Sequence, residues 1–295
     1  MKRRMHIETY HPSVPLVYFL GMAVITVANP HPVLTAVSLL GAVLSTGMLI
    51  SMRKLLASLG YSLPLLLMIA AVNPMFVHRG ETMLFFLNDN PVTLEAVYYG
   101  LTAASMLIAV FYWFKCYSIV MTSDKFIYLF GRAAPRLSLV LSMTLAFVSK
   151  FKRQYKRINA VQKSMGMYAS NSFSDRVISR MRTLSALVGW ALESSVEIAD
   201  SMNARGYGLK GRTSFALYRF TARDGFALIF LAAAFVAFTV GSSLAPAFSF
   251  YPAMSPVSTS AAAVVGYTSL FLAAVCAAAA EIRENIRWKL LISRV

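Results

Sequence analysis

Six long apolar runs constrain the fold of this chain more than any other feature. Each is close to or above the roughly 18 residues at which an apolar helix becomes a candidate membrane span. The runs are residues 14–28, 33–50, 59–77, 92–114, 226–241 and 260–280. Of the 295 residues, 58% are hydrophobic and 14% are charged, whereas soluble domains carry about 25% charged residues. The sequence therefore predicts an all-α polytopic membrane protein with about six transmembrane helices.

The basic residues are distributed unevenly along the chain, which has 28 Lys and Arg against 12 Asp and Glu. If the amino terminus lies in the cytoplasm, Arg79 is the single Lys or Arg that falls in an outer segment. Cytoplasmic segments of membrane proteins carry an excess of Lys and Arg. Both termini are therefore predicted to be cytoplasmic, and anionic lipid explains the positive charge better than a nucleic-acid partner does.

The segment between the fourth and fifth runs is long, basic and regularly apolar. It is too basic to cross the membrane, so we assign it to the cytoplasm as a separate region. The predicted domain organisation is residues 1–121 with four transmembrane helices, 122–220 as the cytoplasmic region, and 221–295 with two transmembrane helices and a cytoplasmic tail.

Two long amphipathic helices are predicted in this cytoplasmic region. From Pro135 to Gly166 the apolar residues recur every three or four positions, as on one face of a helix. A polar break follows at residues 169–175, where Ser174 or Asp175 is a candidate cap for the second helix. The second helix is predicted to end at Gly206, because glycine readily adopts the left-handed conformation that ends many helices. Helices of about 30 residues each reach about 45 Å.

The sequence has few residues that could catalyse a reaction or bind a metal ion or cofactor. No G-x-x-x-x-G-K-[ST] phosphate-binding loop occurs, and the four His and two Cys show no metal-ligand spacing. The spans are almost free of the carboxylates and histidines that ion-coupled transporters and intramembrane hydrolases use. We therefore predict no catalytic residue, no metal site and no cofactor bound by this chain.

Two alternative functions stay open from the residues alone. One is a polytopic membrane enzyme acting on lipid or prenyl substrates, for which Glu193, Glu197 and Asp200 are the nearest approach to an acidic cluster. The other is a stand-alone channel.

The end of the second predicted helix carries the most specific motif, Ser201-Met202-Asn203-Ala204-Arg205-Gly206-Tyr207-Gly208. Other matching features run from His11-Pro12 before the first span to the tail Glu281-Ile282-Arg283-Glu284-Asn285-Ile286-Arg287-Trp288-Lys289. With these features the chain resembles the transmembrane (T) component of energy-coupling factor (ECF) transporters, whose long cytoplasmic coupling helices end in Ala-Arg-Gly-type motifs.

The resemblance implies a non-catalytic scaffold subunit in a prokaryotic plasma membrane. In that family the T component links two cytoplasmic ABC-type ATPases, which bind ATP and Mg, to a membrane-embedded substrate-binding S component. The implied role is to couple ATP hydrolysis by the partners to uptake of a vitamin or a transition-metal ion.

The resemblance also implies where the two ATPases dock. Ala204, Arg205 and Gly206 would form one docking end, and Gln162, Met165 and Gly166 the other. The first coupling helix of the family usually also ends in an Ala-Arg-Gly-like sequence, but here Met165 stands where the arginine is expected. Either Lys163 or Arg157 supplies the charge, or this contact is apolar and weaker.

The apolar faces of the two predicted helices require a covering surface. An acidic side on the second helix favours a protein partner over simple adsorption to lipid. With the resemblance, that partner is the S component. The predicted interface residues are Phe147, Phe151, Tyr155, Ile178, Met181 and Val188.

Overall fold

The computed structural model describes residues 10–87, 90–131, 134–166, 173–209 and 218–292. The helices are α1 (Ser13–Ala28), α2 (Pro32–Leu49), α3 (Met52–Phe76), α4 (Leu94–Val120), α5 (Ser123–Gly131), α6 (Pro135–Ser164), α7 (Phe173–Ala204), α8 (Ala222–Leu244) and α9 (Ala261–Ile292). The strands are β1 (Met83–Leu87) and β2 (Asn90–Thr93). Most of the predicted polar break, residues 169–172, lies outside the described residues. The basic residues Lys2, Arg3, Arg4 and Arg294 lie outside them too.

The predicted fold class is confirmed: the chain is an all-α polytopic membrane protein. Within the described part of the chain, five helices are long and apolar enough to cross a membrane, namely α2, α3, α4, α8 and the Ala261–Arg283 part of α9. α1, predicted as the first span, is also apolar but has only 16 residues. It therefore reaches about 24 Å, less than the roughly 30 Å thickness of a hydrocarbon core.

The structure divides into two compact units, one formed by Met1–Lys125 with Tyr218–Val295 and the other by Phe126–Leu217. In the first unit α4 packs against α1, α2 and α3, and α9 packs against α2 and α8. The fully buried Trp113 of α4 donates its indole N–H to the Ser38 hydroxyl at 2.9 Å, and the Ser38 and Thr26 hydroxyl oxygens lie 2.5 Å apart. Because lipid offers no partners to polar groups, such buried groups pair within the protein.

Helices α8 and α9 approach each other closely at a pair of glycines. A Cβ added at Gly241 would lie 2.8 Å from the carbonyl oxygen of Ala262 and 2.8 Å from the amide nitrogen of Gly266. Both atoms belong to the α9 backbone and cannot rotate away. Small residues are the usual means by which membrane helices come this close.

The Gly241 contact leads to a stability prediction. Gly241→Ala is expected to destabilise the chain by about 1–3 kcal/mol, the usual cost of overpacking. Gly60→Ala on α3 is the matched control, because nothing lies within 4 Å of its added Cβ. Thermal melting in one detergent should show a lower midpoint for Gly241→Ala alone. Equal midpoints for the two variants would contradict the close approach.

The segment between α3 and α4 contains an antiparallel pair of strands, in which Met83 lies opposite Thr93. Glu95, in the first turn of α4, accepts hydrogen bonds at Oε1 from the Thr82 hydroxyl at 2.6 Å and the Thr82 amide at 3.3 Å. The Thr93 hydroxyl donates to the Arg79 carbonyl at 2.9 Å. These contacts attach the strand pair to the start of the helix.

The start of α8 is joined to the residue before α1. Thr221 and Asp224 form a capping box, in which the Thr221 amide and hydroxyl donate to Asp224 Oδ2 at 2.8 and 2.7 Å. The His11 backbone N–H donates to Asp224 Oδ1 at 2.9 Å. The carboxylate that the sequence places at the start of the fifth span therefore holds two distant parts of the chain together.

The second unit contains α6 and α7, here called the helix pair. α6 begins at Pro135 as predicted, because proline suits the first turn of a helix. The predicted cap of α7 is wrong: the helix begins at Phe173, so Ser174 and Asp175 lie in its first turn. An acidic side chain there interacts favourably with the helix dipole without capping it.

Candidate docking sites on the helix pair

Two contacts define how the helices of the pair run. The Thr183 hydroxyl of α7 donates to Gln162 Oε1 of α6 at 2.7 Å, and Thr183 is only 1% exposed. Further back along α6, the ring of Phe151 meets the ring of Trp190 edge-on at 5.7 Å between centroids. The residue nearer the start of α6 therefore contacts the residue nearer the end of α7, so the two helices run antiparallel.

The end of α7 is a glycine-terminated Schellman motif. Gly206 has a φ of +79°. Its N–H donates to the Asn203 carbonyl at 3.0 Å, and the Tyr207 N–H donates to the Met202 carbonyl at 3.0 Å. This pair of hydrogen bonds defines the motif and satisfies carbonyls that the helix itself leaves unpaired. The predicted termination at Gly206 is confirmed, and Arg205 is exposed immediately before the turn.

The end of α6 shares the glycine turn and one of these two hydrogen bonds, and it lacks the arginine. Gly166 has a φ of +74°, and its N–H donates to the Lys163 carbonyl at 3.1 Å. Met165 occupies the position that corresponds to Arg205 and is exposed. The side-chain oxygen of Gln162 accepts the Thr183 hydroxyl and so helps to hold the helix pair together.

The two predicted docking ends are far apart on the helix pair. Gln162 lies beside Thr183, whereas Ala204 lies 21 residues further along α7. At 1.5 Å per residue, this separation is about 32 Å along the helix axis. Two partners can therefore bind the two ends without competing for the same surface.

The six residues predicted to contact an S component do not share one environment. Ile178, Met181 and Val188 on α7 are exposed, and so is Tyr155 on α6. Phe147 and Phe151 are half-buried, and Phe151 packs against Trp190. The exposed face of α7 continues beyond the predicted residues with Phe173, Val177, Leu184, Leu192 and Val196.

Sequence reasoning missed the residues that hold the helix pair together. Ser179 and Thr183 are buried on α7, and Trp190 is half-buried. Their spacings of four and seven residues place them on one helical face, but the sequence shows equally regular apolar spacing on the exposed face. Glu193, Glu197 and Asp200, the acidic residues considered for an enzyme, are all exposed.

A cavity of about 250 Å³ lies in the first unit, lined by residues of the α1–α2 turn, α8 and α9. His31 caps α2 by accepting the Val33 N–H at Nδ1, at 3.2 Å, and its Nε2 lies 3.1 Å from the Tyr267 hydroxyl. Nδ1 can accept only when it is unprotonated. Burial lowers the pKa of His31 below its usual value of 6.5.

The His31 cap leads to a pH prediction. A lowered pKa in the folded state means that the unfolded chain binds the proton more tightly. The stability contributed by His31 is therefore present above about pH 6.5 and lost as the pH falls through the lowered pKa. His31→Asn keeps a capping oxygen and should show a smaller fall in melting temperature between pH 7.5 and 5. An equal fall in both proteins would contradict this role.

Comparison with known proteins supports the resemblance seen in the motifs. The chain is 37% identical over 98 residues to the energy-coupling factor transporter transmembrane protein EcfT of Listeria innocua. The match covers 32% of this chain and 37% of EcfT, so the chain spans little more than a third of that relative's length. No protein-family model matches the chain.

Proposed function

We propose that this chain is the transmembrane scaffold subunit of an ECF-type ABC importer. It binds two ATPase subunits at the two ends of the helix pair and a substrate-binding S component on the exposed apolar face of α7. The chain itself is non-catalytic and binds no cofactor, and ATP and Mg are bound by the partner ATPases. Both termini lie in the cytoplasm, and the imported substrate is a vitamin or a transition-metal ion.

The observation that carries the proposal is the exposed end of α7. Arg205 stands at the last turn of a 32-residue helix, and Gly206 turns the chain away at once. An arginine in this position offers a planar, permanently charged fork for a carboxylate or for backbone carbonyls in a partner's groove. The similarity to EcfT over 98 residues supports a role as the transmembrane component of such a transporter.

Reconstitution tests the proposal. The full chain is coexpressed with the ATPase and S-component genes of its own genome, purified through a tag on this chain and placed in liposomes. We expect two ATPase subunits and one S component per chain, and substrate uptake that requires ATP. Conductance or lipid-modifying activity from the isolated chain, without ATPases on copurification, would support one of the two alternative functions instead.

The missing arginine at the end of α6 predicts unequal ATPase contacts. Arg205→Ala removes a charged donor, whereas Met165→Ala removes only apolar contact. Arg205→Ala is therefore expected to weaken ATPase docking more, as measured by the fraction of ATPase retained during size-exclusion chromatography. A loss at Met165 as large as that at Arg205 would show that the α6 end contributes equally.

A further inference from the structure

The first half of α6 differs in character from the second half. Residues 137–149 include no charged side chain. Leu137 is 72% exposed and Val148 is 64% exposed, and Val140, Leu141 and Leu145 between them are exposed as well. At 3.6 residues per turn these five side chains cover an arc of about 140° around the helix. This surface is separate from the α7 face to which the proposed function assigns the S component.

The length of this apolar segment limits the surroundings in which it can lie. A run of 10–14 apolar residues inside a chain is typical of a buried core helix or of an interfacial or re-entrant membrane segment. The exposure of the five side chains excludes a buried core helix. Residues 137–148 extend about 18 Å, about 60% of the roughly 30 Å thickness of a hydrocarbon core. The helix must therefore be tilted for the segment to lie within one leaflet and for the exposed Arg136 before it to reach the headgroups.

Two of the four hydroxyl groups in residues 137–149 form local hydrogen bonds to backbone carbonyls. Thr144, although exposed, donates to the Val140 and Leu141 carbonyls at 3.0 and 2.9 Å. Ser138 donates to the Ile127 carbonyl at 3.3 Å. Local bonds of this kind allow serine and threonine to lie in helices that contact lipid.

The second half of α6 is strongly basic, and the change occurs along the helix axis. Five exposed basic side chains follow within eight positions: Lys150, Lys152, Arg153, Lys156 and Arg157. Leu145 and Lys152 are seven residues apart and therefore lie on the same side of the helix. A protein groove that covered the whole helix would have to change from apolar to acidic at this point. A membrane with anionic lipid already has this arrangement, because its apolar acyl chains lie next to its negatively charged headgroups.

We infer that residues 137–148 of α6 are embedded in the acyl-chain region of one membrane leaflet and that the basic residues from Lys150 to Arg157 bind anionic phospholipid headgroups. The continuous helix from Pro135 to Ser164 thus joins a lipid anchor to the end that carries Met165. This anchoring requires no partner protein, so it stands independently of the proposed function.

Thiol accessibility in nanodiscs tests the embedding. The full chain with Cys116→Ala and Cys276→Ala receives a single cysteine as Leu137→Cys, Val148→Cys or, as the control on the same helix, Arg157→Cys. In discs with anionic lipid and no partner, a membrane-impermeant maleimide should react with positions 137 and 148 at least tenfold more slowly than with 157. Equal rates would overturn the inference, as would protection that appears only after an S component is added.

Lipid charge tests the headgroup contact. Replacing the anionic lipid by a zwitterionic lipid should raise the reaction rate at Val148→Cys severalfold. The same exchange should have little effect when Lys150, Arg153 and Arg157 are all replaced by Gln. Native mass spectrometry provides a second measurement, in which the unmodified chain should retain more anionic phospholipid than the triple variant. Reactivity independent of lipid charge, or equal lipid retention, would overturn this part.

Discussion

Arg205→Glu is expected to disrupt ATPase docking at the α7 end, and with it ATP-driven uptake, while leaving the chain inserted and folded. Arg205 is exposed beyond the last turn of α7, so its replacement disturbs no internal packing. Reversing a charge that is docked and desolvated costs about 2–5 kcal/mol, or roughly 30- to several-thousand-fold in affinity. Copurified ATPase and uptake in liposomes measure the effect.

Arg53→Glu is the control for this charge reversal. Arg53 is exposed in the first turn of α3 and belongs to neither docking end, so this variant should retain its ATPases. Arg205→Lys should give an intermediate loss, because an ammonium keeps the charge but loses the planar fork. Normal ATPase copurification with Arg205→Glu would show that the α7 end is not a docking site.

Met181→Asp is expected to remove the S component and to leave both ATPases bound. Met181 is 60% exposed on α7, and an interface over it would bury an unpaired carboxylate at a cost of several kcal/mol. The corresponding loss of affinity is on the order of 100-fold. Copurification of each partner with the variant measures the effect, and Met181→Leu should behave like the unmodified chain.

Phe151→Asp provides the contrasting result. The Phe151 ring packs against Trp190, so a carboxylate there should separate α6 from α7. All partners should then be lost together, with a lower melting temperature. Two results would mean that the S component covers a different face: selective loss of the S component from Phe151→Asp, or retention of the S component by Met181→Asp.

The sequence was sufficient to predict the parts of the fold that depend on local signals. Pro135 marked the start of α6 and Gly206 the end of α7, because both residues act through their own backbone conformation. Five of the six predicted spans followed from apolar length, whereas α1 has only 16 residues. α5 could not be found, since nine residues are too few for a reliable periodicity, and the start of α7 was misplaced because Ser174 and Asp175 suit a first turn as well as a cap.

The contacts of the candidate site required the structure. Gln162 and Phe151 belong to motifs that predicted partner contacts, yet both touch α7 within the same chain. The apolar face of a helix that turns inwards is determined by the neighbouring helix. Here the neighbours are distant along the chain, because Thr183 is about 20 residues from Gln162 and Trp190 is about 40 residues from Phe151. The contact with partners therefore stays a prediction for these residues, while their internal contact is observed.

The antiparallel helix pair fixes the distance between the two proposed docking ends. Because Gln162 fixes one end beside Thr183, the distance to Arg205 is set by a rigid stretch of α-helix and not by a flexible loop. Adding seven residues to that stretch would lengthen the distance along α7 by about 10.5 Å and would rotate Arg205 about the helix axis by only about 20°. The spacing of the two proposed ATPase sites is therefore set by the helix, and an insertion keeps Arg205 on its side of the helix only if it adds close to a whole number of turns.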